Sequence, residues 1–157
     1  MWPETHAKVG TELSLLNRLL HEYRDLFSMA SRAEPAGIEV LALSALLHSF
    51  YTGVENVFKR IADEIDGSIP SGGRYHAQLA SQMAQPLGAR PAVISRDLRN
   101  RLGEYLEFRH VFRYAYSFNL DWAKMSRLVI GCEETLRLLE AELAEFFGSD
   151  NDEHSEA

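Results

Sequence analysis

The stretch of this chain richest in chemical possibilities is Phe108–Met125, FRHVFRYAYSFNLDWAKM. On a helix Arg109, Arg113 and Tyr116 fall at i, i+4 and i+7, so two guanidinium groups and a phenol share one face, and Tyr105 one turn earlier extends it. Paired arginines at that spacing can hold a phosphate with several N–H donors, while aromatic rings beside them can stack on an unpaired base. The bland alternative is that Arg109 and Arg113 pair with Glu104, Glu107 or an acid on another helix. His110 points about 100° around the helix from Arg109. His48 and His76 read as satisfied histidines at the edge of the core.

Other chemistries find no support. The six histidines include no pair at i, i+3 or i, i+4, the usual spacing of a helical metal site, so no metal is expected. There is no Gly-rich phosphate loop, HExxH or GxSxG, and no cofactor is expected. Cys132 is the one cysteine, which excludes a disulfide within the chain.

Taken whole, the formal charge of -7 argues against nucleic acid. Its distribution changes that inference. Residues 133–157 sum to -8, so residues 1–132 sum to +1, and residues 90–113 carry a local +3 from Arg90, Arg96, Arg99, Arg101, Arg109 and Arg113.

The elements that must position these residues are helical. Four long segments repeat apolar residues at helical spacing, and none alternates as a half-buried strand does. They run over about Thr5–Arg32, with a stripe Leu13, Leu16, Leu20, Tyr23 and Phe27; Ile38–Ile65; Ser95–Tyr116; and Asp121–Gly148. The second would span roughly 42 Å. DGSIPSGG, Asp66–Gly73, reads as a loop, and a short helix follows over about Arg74–Ala84. Ser95 and Asp121 are placed as N-caps. The expected fold is all-α, an antiparallel four-helix bundle with one short extra helix, forming one domain over residues 1–148 with an acidic, disordered tail over 149–157. No run approaches the ~18 apolar residues of a membrane span, and MWPETHAKVG does not read as a signal peptide, so a cytoplasmic location is expected.

FRHVFRYAYSFNLD, Phe108–Asp121, resembles the signature of HepT-like proteins of the HEPN group, in which an Arg, a short polar residue, three further residues, a His, one residue and a Tyr follow in order. ALLHSFYTGVENVFKRIADEIDG, Ala45–Gly67, and RYHAQLASQM are also similar to HepT-like members, so the resemblance spans about residues 10–145. It implies a helical bundle that dimerises with two motifs facing across a shared cleft. It further implies metal-independent RNA cleavage, in which the Arg holds the scissile phosphate and the His moves a proton as the ribose 2'-hydroxyl attacks. Carried over by position, Arg109 is the motif arginine, His110 the polar residue after it and Tyr116 the terminal tyrosine.

The resemblance also implies a toxin-antitoxin pair, with an MNT-type nucleotidyltransferase antitoxin that transfers AMP onto Tyr116. One position departs from the signature: Tyr114 stands where the motif His belongs. A phenol of pKa near ~10 is a poor general base at pH 7. The expected site is therefore Arg109, His110 and Tyr114 as catalytic participants, Arg109 and Arg113 on the RNA phosphate, and Tyr116 as AMP acceptor. The expected partners are a second copy of the chain, the nucleotidyltransferase, and an RNA such as a tRNA, with no membrane. The alternative is a catalytically impaired bundle that binds a nucleotidyltransferase or RNA.

Overall fold

The computed structural model describes residues 2–116 and 119–152. The described residues are helical, with no strand: α1 Pro3–Glu22, α2 Arg24–Arg32, α3 Gly37–Ile61, α4 Tyr75–Met83, α5 Arg96–Tyr114, α6 Trp122–Ile130 and α7 Cys132–Asp152. A π-helical turn, Ala62–Asp66, continues α3 and ends on Gly67, whose φ of 67° lies in the left-handed region open to glycine. The all-α expectation holds, and the connections fall where the turn residues place them. Two of the four expected long helices are each divided in two.

The first division is at Tyr23, where φ -109° and ψ 17° leave the helical range. Tyr23 is consequently 46% exposed and drops out of the stripe, while Leu16 is buried and Leu13, Leu20 and Phe27 pack against the core. The second is at Gly131, where the Arg101 guanidinium lies close: a Cβ there would stand 3.2 Å from Arg101 Nη2. Ser95 and Asp121 cap as expected, their side chains accepting from the backbone N–H of Leu98 and Ala123. α7 carries helix to Asp152, into the segment expected to be a disordered tail; residues 153–157 lie outside the described residues.

α3 is the axis of the molecule, packed on α1, α4, α5 and α6. Leu43, Leu47, Phe50, Val54, Val57, Phe58 and Ile61 are buried along it, meeting Leu79 and Met83 of α4, Leu98 and Leu102 of α5, and Leu136 and Leu139 of α7 in one core. Among the described residues it is the one helix long and apolar enough to cross a membrane by composition, and here those side chains form the core. Gly53 lets α1 approach closely: a Cβ at 53 would overlap the Leu16 side chain.

A buried ion pair fixes α3 against α4 and the segment after it. Arg90 Nε and Nη2 donate to the two oxygens of Asp66, at 2.5 and 2.8 Å. Its other N–H groups donate to the carbonyls of Gln82, Gln85 and Pro91. This corrects the reading of residues 90–113 as one basic segment. Arg90 is 4% exposed and wholly engaged inside the fold, and Arg101 is tied to Glu134 and Thr135 of α7.

Candidate functional site

α3 presents His48, Tyr51 and Glu55 at i, i+3 and i+7, hence on one face. Both helices that pack beside that face add one residue to it: α4 brings His76, its second residue, and α5 brings Arg109. Glu55 stands among the buried apolar residues Val54, Val57 and Phe58, and its carboxylate is 2% exposed. A buried carboxylate needs partners, and it has two. Arg109 Nη1 donates to Oε1 at 2.9 Å, while His76 Nδ1 meets Oε2 in a short hydrogen bond.

Arg109 is held from a second side. Its Nε donates to His48 Nε2 at 3.3 Å, and the His48 ring packs at a tilt on Phe112, 5.9 Å between centroids. Burial lowers the His48 pKa, and the positive charges of Arg109 and Arg113 lower it further. His48 is therefore a neutral acceptor that aims the guanidinium. Tyr51, one turn from Glu55, is fully buried, and its hydroxyl alone among the buried side-chain polar atoms of the described residues lacks a hydrogen-bond partner. Burial, then the Glu55 charge, raises its pKa. Tyr75 stacks beside His76 at 4.0 Å and receives Lys59 over its ring at 5.3 Å.

The expected site residues divide between two regions. Arg109 lies in the cluster, its side chain 19% exposed. Arg113 is exposed one turn further along α5, close enough to His48 to act on its charge, as the i, i+4 spacing implies. His110 and Tyr114 pack edge to face on each other, 5.1 Å between centroids, with Tyr114 70% exposed and beside Arg113. The hydrogen bonds to Arg109 come from α3 and not from either of them. Tyr116 lies beyond the end of α5, 73% exposed. Tyr105 does not extend the arginine face. It is 2% exposed, and its hydroxyl donates to the Leu128 carbonyl at 2.7 Å, bracing α5 against α6.

Sequence reasoning passed over Glu55 altogether and set His48 and His76 aside as core-edge residues. Two of them share a joint signal, a carboxylate in a largely apolar helix with a Tyr one turn and a His two turns before it on the same face, whereas His76 joins them only through the packing of α4 on α3. The Arg109 guanidinium intervenes between His48 and Glu55, so these two do not converge on one point. No group of three His, Cys, Asp or Glu side chains able to hold a metal stands together among the described residues.

The parts of α3, α4 and α5 that build this cluster lie within the stretch of the chain matched by a family model. Residues 42–149 match the model described as HepT-like protein. The chain belongs to the HepT-like family. No curated protein and no solved structure matches it. The match begins six residues before His48 and takes in every member of the cluster, so the site belongs to the HepT-like part of the chain.

Two carboxylates of α7 in this HepT-like domain are engaged away from Arg109. Glu142 of α7 accepts from the Ser95 backbone and Glu134 holds Arg101, both at the N-terminal half of α5. Ser95 and Arg109 are roughly 20 Å apart along that helix.

Proposed function

We propose that this HepT-like chain is the toxin of a toxin-antitoxin pair, a metal-independent endoribonuclease that works as a homodimer in the cytoplasm. The observation that carries this reading is the Arg109 guanidinium, fixed by Glu55 and His48 yet still partly exposed. Two of its five N–H groups are engaged in those bonds, and a guanidinium so fixed offers the rest to a phosphate without reorganising. Arg113, one turn on, adds a second cation along the backbone of an RNA strand.

The neutralising partner in this reading is an MNT-type nucleotidyltransferase that transfers AMP to Tyr116, whose exposure at the end of α5 suits an acceptor. Intact mass after co-expression with such a partner tests this arm: added AMP that disappears in Tyr116→Phe supports it, and an unmodified chain contradicts it. Incubation with tRNA and total RNA beside an Arg109→Ala control tests the ribonuclease. A monomeric mass in light scattering at micromolar concentration contradicts the dimer.

A second reading, a catalytically impaired bundle that binds RNA or the nucleotidyltransferase, is favoured by one observation. The position of the motif His holds Tyr114, whose ring packs on His110, and neither is bonded to Arg109. This reading predicts RNA or partner binding that is lost in Arg109→Ala, with no cleavage by the unaltered protein. Gain of cleavage in Tyr114→His supports it.

A further inference from the structure

Glu55 divides its two oxygens between two side chains from different helices, Arg109 of α5 and His76 of α4. From this juxtaposition we propose that His76, which lies outside the α5 signature, is the general acid–base residue of the site, with Glu55 as its positioning residue. The inference rests on the ribonuclease reading above and supplies the proton-transfer group that Tyr114 lacks.

The geometry of the pair gives the imidazole its orientation. A carboxylate on Nδ1 keeps the proton of the neutral ring on that nitrogen and leaves the lone pair on Nε2; the same carboxylate stabilises the imidazolium once Nε2 is protonated. Exposure rises outward through the cluster, from Glu55 at 2% through Arg109 at 19% to His76 at 29%. The carboxylate is therefore the floor, and the phosphate clamp and the imidazole stand at the rim on either side of it.

The other histidines near the motif do not fit this role. The Nε2 of His48 is engaged by Arg109, and its proton affinity is lowered by burial and two arginines. His110 packs on Tyr114. The groups that act on His76 are Glu55 of α3, Tyr75 beside it with Lys59 over the ring, and Arg109 across the carboxylate.

In the step assigned to it, His76 Nε2 takes the proton of a ribose 2'-hydroxyl as that oxygen bonds to the phosphorus held at Arg109. The bond from phosphorus to the 5'-oxygen breaks, and the proton passes from the imidazolium to that oxygen. The imidazole ends neutral, and the products are a 2',3'-cyclic phosphate and a free 5'-hydroxyl.

The test compares the full-length protein with His76→Ala and Glu55→Gln on tRNA, with binding followed separately on a 2'-O-methylated RNA that cannot be cleaved. His76→Ala is expected to cleave about 10²–10⁴-fold more slowly. Binding of the methylated RNA should stay unchanged, and added imidazole should restore part of the rate. Glu55→Gln presents an amide N–H to His76 Nδ1 and so puts the ring proton on Nε2; it is expected to lower kcat while the methylated RNA still binds, the amide oxygen remaining as acceptor for Arg109. Cleavage by His76→Ala at the unaltered rate overturns the assignment while leaving the ribonuclease reading intact. Loss of cleavage together with loss of binding, without imidazole rescue, also overturns it and marks His76 as structural. Absence of cleavage by the unaltered protein overturns the ribonuclease reading, and this assignment with it.

Discussion

Arg109 of α5 reaches across to Glu55 of α3, Nη1 to Oε1 at 2.9 Å, and this one ion pair joins the signature helix to the core helix. The contact has a structural and a chemical consequence. It fills the need of a carboxylate that the core has enclosed, and it fixes the guanidinium in a single direction.

Removing the acid should therefore destabilise the fold. Glu55→Ala leaves Arg109 and His76 without their common partner, and breaking a buried pair costs about 3–5 kcal/mol. Because Arg109 and His76 keep contact with solvent, the expected loss is near the lower end, about 3 kcal/mol. Urea denaturation at pH 7 measures it; a change within error of zero contradicts the role given to Glu55.

Arg90 makes a stronger demand on its residue type. All five of its N–H donors are used, two of them on Asp66, and a lysine offers neither the fork nor the number. Arg90→Lys should lose about 3 kcal/mol despite keeping the charge. A stability equal to that of the unaltered protein would show that charge alone suffices there.

At Gly53 two effects oppose each other. Alanine gains about 1 kcal/mol of helix propensity, but its Cβ would overlap Leu16, which is 2% exposed, and overpacking costs about 1–3 kcal/mol. The expectation is a net loss of about 1 kcal/mol, read from the same denaturation curves. A gain in stability would mean that α1 yields without strain.

His48 sets a pH dependence whose sign follows from its lowered pKa. Above the unfolded value near ~6.5 the ring is neutral in both states and contributes nothing. As pH falls below that value the unfolded chain takes up the proton first, so stability declines until the folded pKa is passed and then levels. In His48→Gln, which keeps an acceptor for Arg109, stability measured between pH 5 and 7.5 should lose this part of its slope. An unchanged slope would assign the dependence to other groups.

Much of the fold was legible because the apolar spacing of α3 and α7 is regular and the breakers between helices are explicit. Leu43, Leu47, Phe50, Val54, Val57 and Ile61 are all buried as their period requires, and Ser95 and Asp121 cap where their side-chain oxygens suggest. The break at Tyr23 has no Gly or Pro to announce it. The break at Gly131 has a glycine, and Arg101, thirty residues earlier in the chain, packs against it. The site was half legible. Arg109 and Arg113 declare themselves by spacing, whereas Glu55 and His76 acquire meaning only when α3 and α4 are packed beside α5. The basic segment misled for the same reason: linear charge counts Arg90 as available, and the fold buries it against Asp66.

The most direct measurement is the rate of RNA cleavage by the purified protein and by Arg109→Ala, with tRNA as substrate and a chelator present. Loss of a fixed donor at the reacting phosphate typically costs about 10²–10³-fold, so cleavage by the unaltered chain and a fall of at least that size in the variant are expected. Equal cleavage by the two proteins, or none by the unaltered one, would contradict that expectation.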